Sequence, residues 1–380
     1  MTTRRQLRAD TRVEELCKSL RQIAFERGPG AQLPTVSMLC KEMEVSSVTL
    51  RDALDILETE QIIYRKRSLG IFVSPNIHRK SIHIFFSANN LISEVLSPFW
   101  ALLWMRLEQE VRRREQFKNE IYTFHLVPQI ADTRDSVPED VKELLRTQRV
   151  HGVLAVGLHT VGLGEDTEPS IPCVTFAGGG SWLVIIDNAE EGRMAADELH
   201  RQGCKRLGCW LPNMLYFDIP GWNAHDIPHL SLEEMASFLQ FRKTLEEKKL
   251  TYYPEFMRLP HLPLSQQVLS PQEQGYLLAK EVYGGASDLK PDGLFIGDDL
   301  LADGALTALE EMGIKIGKDV KVIVHTNAGS PILFGHLRKI TALEYNPLDI
   351  AQAMFLQLDT LMAGLPLREP NIMIRPRLRK

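Results

Sequence analysis

Residues 33–73, LPTVSMLCKEMEVSSVTLRDALDILETEQIIYRKRSLGIFV, contain the elements that decide the fold of the N-terminal region. A short helix begins at Pro34, the chain turns at Val45, and a second amphipathic helix follows directly. The basic run at 65–67 then leads into a short apolar β run at 71–73. Helix, tight turn, helix and basic hairpin, in this order, predict a winged helix-turn-helix domain.

The apolar spacing of this region also predicts which helix faces are buried. A longer amphipathic helix over 10–27 precedes the motif and ends at Gly28. Thr35 and Ser46 are placed to cap the two later helices through their hydroxyl groups. The predicted inner faces consist of Met38, Leu39 and Met43 on the first of these helices and of Val48, Leu50, Ala53, Leu54 and Leu57 on the second.

The outward face of the last helix of the motif carries short hydroxyl side chains and one arginine. The N-terminal end of such a helix enters the major groove, where the planar fork of Arg51 can bind guanine or a phosphate. The basic hairpin is placed to contact the backbone or the minor groove. Taken singly, such charges are equally typical of a solvated surface, but the helix order and the hairpin together favour DNA. The predicted DNA-binding residues are Thr35, Ser37, Ser46, Ser47, Thr49, Arg51, Arg65, Lys66, Arg67 and Gly70.

Charge is unevenly distributed along the 380 residues, whose formal net charge is −5. Residues 1–80 contain 14 Lys and Arg against 10 Asp and Glu, whereas the remainder contains 30 against 39. A basic N-terminal domain on an acidic body is expected when one domain binds DNA and the other has a different partner.

The composition also argues against a membrane protein and against a secreted one. No apolar run approaches the ~18 residues of a membrane span. The basic N-terminus is not followed by the apolar segment of a signal peptide. The five cysteines are scattered and lack CxxC spacing, which predicts free thiols in a reducing cytoplasm.

After a short predicted linker at 76–80, strands and helices alternate. Apolar runs of strand length, such as 82–86 and 153–156, are separated by amphipathic helices such as 99–114. This β-α-β alternation predicts parallel sheets covered by helices on both faces, with ligands bound at the carboxyl ends of the strands. The predicted domains are therefore a DNA-binding domain at 1–75 and an α/β effector domain at 81–380.

The segment 28–73 resembles the winged helix of GntR-type regulators. The resemblance depends on Gly-x-x-Leu-Pro at 30–34, Val-Ser at 45–46, Thr-Leu-Arg-x-Ala-Leu at 49–54 and Gly-x-Phe-Val at 70–73. That family usually has DNA-contacting arginines at the positions of Ser37 and Ser47, and a glycine at the position of Ser68. The resemblance therefore implies the fold, whereas the operator sequence of relatives does not carry over.

Residues 80–380 resemble the effector domain of LacI-type regulators, which is itself similar to the sugar-binding periplasmic proteins. Seven landmarks occur in the right order: Ile186-Asp187-Asn188-x3-Gly192, Leu199-x3-Gly203-x2-Arg206-Leu207-Gly208, Phe241-Arg242-x2-Leu245, Pro291-Asp292-Gly293-Leu294-Phe295, Asp299-x2-Ala302-x-Gly304, Gly313-x3-Gly317-x-Asp319-Val320 and the segment 340–351. The resemblance implies two lobes crossed by three strands, an effector cleft between them and a homodimer. By this analogy, lobe one comprises 81–185 and 328–344, and lobe two comprises 186–327 and 345–380.

The predicted cleft departs from the family pattern at three positions. Sugar-binding members usually have an arginine at the position of Ser237, an asparagine at that of Asp298 and a carboxylate at that of Thr326. A sugar-like effector needs flat apolar faces and planar hydrogen-bonding groups. The predicted effector-binding residues are Phe99, Trp100, Asp187, Trp222, Ser237, Asp298, Thr326 and Asn327.

Several of these residues also fit a structural role. Phe99 and Trp100 open an apolar helix and fit a core equally well, and Asp298 is placed to cap the helix that follows it. Asp187 fits a helix cap or an ion pair. His225 and His229 have a spacing compatible with a metal. Nearby Pro and Gly residues indicate a loop there, so neither a metal site nor a cofactor is predicted.

Together, these observations predict a cytoplasmic transcriptional regulator, a repressor by analogy. It would bind double-stranded operator DNA as a homodimer and respond to a sugar-like effector. An enzyme is disfavoured because the chain lacks Gly-x-Ser-x-Gly, Walker, His-Glu-x-x-His and Gly-x-Gly-x-x-Gly motifs. The DNA-binding domain disfavours a secreted ligand carrier. A dimeric regulator whose cleft has lost ligand binding stays open, because three cleft positions differ.

Overall fold

A computed structural model of the chain describes residues 2–88, 91, 97–128, 139–147, 149–158, 171–212, 232, 235–260, 269–367 and 369–379. The fold is α/β, with a winged helix-turn-helix at the N-terminus and two parallel sheets in the body, as the sequence predicts.

The N-terminal domain consists of three helices and a two-stranded wing. Its elements are α1 (Thr2–Arg27), α2 (Val36–Glu42), α3 (Ser47–Thr59) and the antiparallel strands β1 (Ile63–Lys66) and β2 (Gly70–Val73). The predicted caps are confirmed: the Thr35 hydroxyl accepts a hydrogen bond from the Met38 N–H, and the Ser46 hydroxyl accepts one from the Thr49 N–H.

Two residues predicted for the inner face of these helices lie on the surface instead. Met38 is 53% exposed and Val48 is 64% exposed, whereas Leu39 and Leu50 are fully buried. The prediction was wrong for a geometrical reason. The core stripe of α3 follows Leu50, Ala53, Leu54 and Leu57, and Val48 lies about half a turn around the helix from that stripe.

Lobe one is built on a six-stranded parallel sheet in the order β4 (Glu120–Val127), β3 (Lys80–Ser87), β5 (Gly152–Val156), β6 (Cys173–Phe176), β7 (Leu183–Ile186) and β13 (Asn371–Ile374). Its first segment comprises β3, α4 (Pro98–Phe117), β4, α5 (Glu139–Thr147), β5, β6 and β7. Strands β3 and β5 are almost entirely buried because helices cover both faces of the sheet.

Lobe two contains a second six-stranded sheet in the order β9-β8-β10-β11-β12-β14, in which only β14 is antiparallel to its neighbour. Its main segment comprises α6 (Asn188–Arg201), β8 (Leu207–Trp210), α7 (Ala236–Glu247), a 3-10 turn (Pro254–Phe256), β9 (Met257–Arg258), α8 (Pro271–Gly284), β10 (Gly293–Ile296), α9 (Asp299–Glu311), β11 (Lys321–Asn327) and β12 (Thr341–Tyr345).

Except for residues 377–379, the C-terminal strands and helix belong to the opposite lobes from those that the sequence predicts. The sequence-based division gave 328–344 to lobe one and 345–380 to lobe two. Instead, β12 pairs with β11 in lobe two. The chain then returns to lobe one as α10 (Pro347–Met362) and β13 (Asn371–Ile374), and β14 (Arg377–Arg379) ends in lobe two. The apolar face of α10 decides this placement, because Ile350, Met354 and Phe355 pack into the core of lobe one.

The predicted linker is packed between the DNA-binding domain and lobe one. Ile77 is buried in the winged-helix core. Its carbonyl accepts a hydrogen bond of 2.5 Å from the Arg149 guanidinium of lobe one. The same guanidinium lies 4.8 Å from the ring of Phe25 on α1. Phe25 in turn contacts the ring of His78, whose carbonyl accepts a hydrogen bond from the Asn119 amide of lobe one.

We call Phe25, Ile77, His78 and Arg149 the joint. Burial lowers the pKa of Arg149, and nearby Arg21 lowers it further. Arg21 forms an ion pair of 2.6 Å with Glu60, the residue that caps the C-terminus of α3. The joint therefore ties α1 to lobe one, and α1 is itself paired with the end of α3 through Arg21 and Glu60.

Replacing Arg149 with Ala should loosen this attachment. The variant loses one charge-assisted hydrogen bond and one cation–π contact, together worth about 2 kcal/mol. We expect faster amide hydrogen exchange at 76–80 and easier proteolysis there. Arg146→Ala is the matched control, because Arg146 is an exposed arginine on α5 that pairs only with nearby Glu139 and Glu143 among the described residues. Equal exchange rates in both variants would contradict the role given to the joint.

Candidate DNA-binding surface and ligand cleft

The first turn of α3 presents a mixed surface to solvent. Ser47 and Arg51 are exposed, and Val48 stands between them. The hydroxyl of Thr49 lies 2.8 Å from that of Ser46, which also accepts the Thr49 N–H. The Ser46 and Thr49 hydroxyls are therefore engaged in the cap, and Arg51 is the predicted contact of this helix with the longest reach.

The wing is attached to α3 by one of the predicted DNA-binding residues. The Arg65 guanidinium lies 2.6 Å from the Asp55 carboxylate and 3.5 Å from that of Glu58. The Lys66 ammonium lies 5.5 Å from the ring of Tyr64, while Arg67 is exposed at the hairpin turn. Arg65 thus has an internal partner, and Lys66 and Arg67 provide the outward charge of the wing.

The remaining predicted residues of this surface lie where the sequence places them. Thr35 and Ser37 are exposed at the start of α2. Gly70 has a φ of 117°, and an added Cβ would lie 2.9 Å from the Gln32 side-chain nitrogen. Since the Gln32 amide donates a hydrogen bond to the Leu69 carbonyl, glycine at 70 keeps the wing close to the preceding segment.

Asp187 lies at the crossing between the lobes and has several protein partners. Its carboxylate caps α6 by accepting the Glu190 N–H at 3.0 Å, and it lies 3.4 Å from the Arg375 guanidinium. Its carbonyl accepts a hydrogen bond from the Tyr345 hydroxyl. Tyr345 belongs to the lobe-two sheet, yet its ring packs in the lobe-one core. Asp187 and Tyr345 therefore fasten the two lobes at the crossing.

A buried cluster of charges lies beside this crossing in lobe two. His325, near the end of β11, is 2.6 Å from the Glu191 carboxylate of α6. Burial opposes a charge on His325, but Glu191, Asp299 and Asp298 outweigh it and raise the pKa of His325 to about 9. The imidazolium is thus the cation that balances this cluster.

Asp298 serves as a helix cap, which is the structural alternative that the sequence left open. Its carboxylate accepts the Leu301 N–H at 2.8 Å. Burial and the neighbouring Asp299 carboxylate raise the pKa of Asp298 to about 6. Asp299 accepts a hydrogen bond from the Ser330 hydroxyl at 2.8 Å.

Trp210 of β8 and Arg258 of β9 each have a buried nitrogen without a hydrogen-bond partner among the described residues, and two buried oxygens at strand ends also lack one. The two oxygens are the Ser87 hydroxyl, on a side chain 1% exposed at the end of β3, and the Asn327 side-chain oxygen, on a side chain 5% exposed at the end of β11. One belongs to each lobe. An added Cβ at Gly329 would lie 3.6 Å from Leu102 of α4, so the end of β11 lies against lobe one.

The aromatic residues predicted for the cleft are packed with lobe one. Phe99 is buried in the lobe-one core, 5.8 Å from the ring of Phe176 and 5.0 Å from that of half-buried Trp100. Thr326 is buried beside Asn327. Trp222, together with Tyr216, Phe217, His225 and His229, lies outside the described residues.

Ser237 lies at a close crossing of two helices. An added Cβ at Gly192 of α6 would lie 1.9 Å from the Ser237 carbonyl oxygen of α7. Glycine at 192 therefore allows the backbones of the two helices to touch. Ser237 is buried at this crossing, and its contact with an effector stays a prediction.

Three residues were missed at the sequence level: Ser87, Glu191 and His325. Glu191 looks like an ordinary helix residue in sequence. The one available signal was position, because Ser87 and His325 lie near the carboxyl ends of predicted strands. Glu191 and His325 form an ion pair, whereas the Ser87 hydroxyl has no partner among the described residues. Both outcomes depend on contacts between distant segments, which periodicity does not reveal.

Among the described residues, no helix could span a membrane, and no group of three or more His, Cys, Asp or Glu side chains is arranged to hold a metal ion. The fold joins a winged helix-turn-helix domain to a body built on two mainly parallel α/β sheets. Family comparisons agree. The model for bacterial regulatory proteins of the gntR family matches residues 13–73, and that for the periplasmic binding protein-like domain matches 196–380.

Sequence relatives also include transcription factors. The chain is 28% identical over 193 residues to the HTH-type transcriptional repressor PurR of Pectobacterium atrosepticum, covering 48% of this chain and 49% of that protein. It is 29% identical over 144 residues to PurR of Pectobacterium carotovorum subsp. carotovorum, covering 38% and 35%. The chain therefore matches at most about half the length of these curated relatives.

Solved structures of LacI-type regulators share the fold. A LacI-family regulatory protein from Chloroflexus aggregans has a TM-score of 0.57 at 17% identity, covering 78% of this chain and 96% of that one. The regulator CelR in complex with cellobiose has a TM-score of 0.54 at 17% identity, covering 92% and 99%. A LacI-family regulator from Lactobacillus casei with bound sucrose has a TM-score of 0.53 at 16% identity, covering 79% and 98%. The N-terminal region of the chain thus matches the gntR-family model, its C-terminal half matches the periplasmic binding protein-like model, and its fold is similar to that of LacI-type regulators.

The His325–Glu191 pair predicts a pH-dependent contribution to stability. Because the pKa of His325 is raised in the folded state, its contribution is fully present below pH ~6.5 and is lost as the pH rises through about 9. His325→Gln should therefore cost up to about 3 kcal/mol at pH 6, and the difference from the unmodified protein should shrink toward pH 9. Urea denaturation across this range measures it.

His200→Gln is the control for this measurement, because His200 is an exposed histidine on α6. We expect a small effect of this change without the same pH trend. If the difference in unfolding free energy between His325→Gln and the unmodified protein stays constant from pH 6 to pH 9, the ion pair does not raise the pKa of His325.

Proposed function

We propose that this protein is a repressor whose affinity for a DNA operator is controlled by a small, uncharged, sugar-like molecule bound between the two lobes. The observation that carries the proposal is the pair of buried, unpaired polar atoms, the Ser87 hydroxyl and the Asn327 side-chain oxygen. A buried polar group without a partner costs about 1–3 kcal/mol, so a ligand that supplies hydrogen bonds at these strand ends would be favoured.

The charges beside this site support an uncharged ligand. Glu191 is paired with His325, and Asp187 with Arg375. The carboxylates of Asp298 and Asp299 accept hydrogen bonds within the protein. The unpaired groups are neutral and recognise hydroxyl groups by hydrogen bonding. Similar folds have been solved in complex with cellobiose and with sucrose, which agrees with this ligand class.

The ligand signal would reach DNA through lobe one. The lobes meet at Asp187 and Tyr345, and the joint attaches the DNA-binding domain to lobe one. A ligand that binds one lobe arrangement more tightly shifts the population toward it, and DNA affinity changes only by that difference in binding free energy. In the proposed cytoplasmic homodimer, this shift would change the spacing of two α3 helices that occupy major grooves ~34 Å apart.

A second candidate function is a dimeric DNA-binding regulator whose cleft no longer binds a ligand. Two observations favour it: the buried aromatic side chain of Phe99 lies in the core, and the carboxylates at the crossing have protein partners. A thermal-shift screen against sugars, sugar acids, polyols and nucleosides separates the candidates. A ligand at 100 times its Kd adds ~2.7 kcal/mol of stability, and a blank across all classes would favour the second candidate.

Asn327→Ala should reduce the stabilisation that a hit in this screen produces. Loss of a ligand hydrogen bond at a buried amide should weaken binding by about 1–3 kcal/mol. Each variant is compared with its own ligand-free melting temperature, so that a change in basal stability does not matter. Gln357→Ala is the control: Gln357 is also a buried amide with an unpaired oxygen, but it bonds to Pro370 in lobe one. Equal ligand shifts in both variants would place the ligand elsewhere.

Arg51→Ala should weaken binding to a duplex that the full chain enriches from a randomised pool. An arginine that reads a base is worth ~1–3 kcal/mol, measured by fluorescence anisotropy at fixed salt. Arg112→Ala on α4 is the control, because Arg112 is a strongly exposed arginine of lobe one whose partner among the described residues is Glu108. Unchanged affinity of the Arg51 variant would assign that residue to the solvated surface.

A further inference from the structure

Four large apolar side chains are exposed on the two helices of the helix-turn-helix, namely Val36, Met38, Val48 and Ile56. Val36 and Met38 of α2 are 44% and 53% exposed, and Val48 of α3 is 64% exposed. Single apolar residues on a surface are common. Val48 differs from such cases by its position, because it is the second residue of α3 and lies opposite the buried stripe of that helix. This is the part of a recognition helix that inserts deepest into the major groove.

Two of the hydroxyl groups around Val48 are already engaged within the domain. Ser46 and Thr49 bond to each other and to the cap of α3. Behind them, Asp55 and Glu58 hold Arg65 of the wing. On the first turn, the groups that face outward are therefore the short Ser47 side chain and the isopropyl group of Val48, followed one turn later by Arg51 and Asp52.

An isopropyl group offers no hydrogen bond to a base edge. In the major groove, the one apolar group that a base pair presents is the 5-methyl of thymine. Against the amino group of cytosine or adenine, Val48 would instead cover a polar group without pairing it, which costs free energy. The nearby positive charges of Arg51, Lys66 and Arg67 fit the phosphates on either side of such a contact.

We infer that Val48 is a specificity-determining residue that reads the methyl group of one thymine in each operator half-site. The inference deepens the proposed function and requires that the protein bind DNA. It predicts that discrimination at this base pair comes from an apolar contact, whereas Arg51 reads a guanine or a phosphate nearby.

The test uses the full chain and a duplex that it enriches from a randomised pool. Each thymine of that duplex is replaced in turn by deoxyuridine, which removes only the methyl group. For the unmodified protein, we expect one replacement in each half-site to weaken binding about fourfold. This is the factor expected when one buried methyl group is removed. Val48→Ala should bind the thymine and deoxyuridine duplexes equally, and Val48→Ile should restore the difference.

Ile56→Ala is the matched control, since Ile56 is an apolar residue of the same helix that is 41% exposed about two turns further on. The Ile56→Ala variant should show the same loss of affinity on deoxyuridine replacement as the unmodified protein. Because Val48 and Ile56 are both solvent-exposed, both variants should keep the melting temperature of the unmodified protein, which excludes a folding effect.

Two results would overturn the inference. One is a duplex in which no thymine replacement weakens binding. The other is a Val48→Ala variant that retains the same loss as the unmodified protein, which would assign the methyl contact to another residue. If the full chain enriches no duplex at all, the proposed function itself fails, and the two failures are thereby distinguished.

Discussion

The guanidinium of Arg149 connects two domains that only a few residues of chain join. It donates to the Ile77 carbonyl and lies over the Phe25 ring, so a side chain of lobe one holds both the linker and α1. A free linker of this length would leave the DNA-binding domain mobile relative to the body. The ring and hydrogen-bond contacts of the joint oppose that motion. Arg21 of α1 is in turn paired with Glu60 at the end of α3, so α1 links the joint to that helix.

At the crossing between the lobes, the buried charged side chains have partners within the protein. Burying an ion is costly unless an opposite charge or hydrogen bonds compensate it. Glu191 with His325, Asp187 with Arg375, and the capped Asp298 all meet this condition. The neutral oxygens of Ser87 and Asn327 do not. Paired charges thus stabilise the crossing, and the proposed ligand would supply the hydrogen bonds that the two neutral groups lack.

The residues of the candidate DNA-binding surface also fall into two groups: some contact the domain itself, and others face solvent. Ser46, Thr49 and Arg65 were all predicted as DNA contacts, and each has a defined contact within the domain. Capping bonds fix the start of α3, and the Arg65 ion pairs fix the wing against its end. These contacts preorganise the surface, which lowers the entropy cost of binding. The outward groups that remain are few, and they include an apolar one.

The sequence by itself determined the order of the elements, the caps at Thr35 and Ser46, and the two-part architecture. These features depend on local patterns: periodicity sets helices and strands, and a hydroxyl before a helix sets its cap. Tertiary structure alone decided that α10 and β13 return to lobe one, that Val48 faces outward, and that Glu191 meets His325 across 134 positions of the chain. Each of these depends on contacts between segments far apart in sequence. A local pattern shows that a face is apolar or a residue charged, but only packing determines which partner it meets.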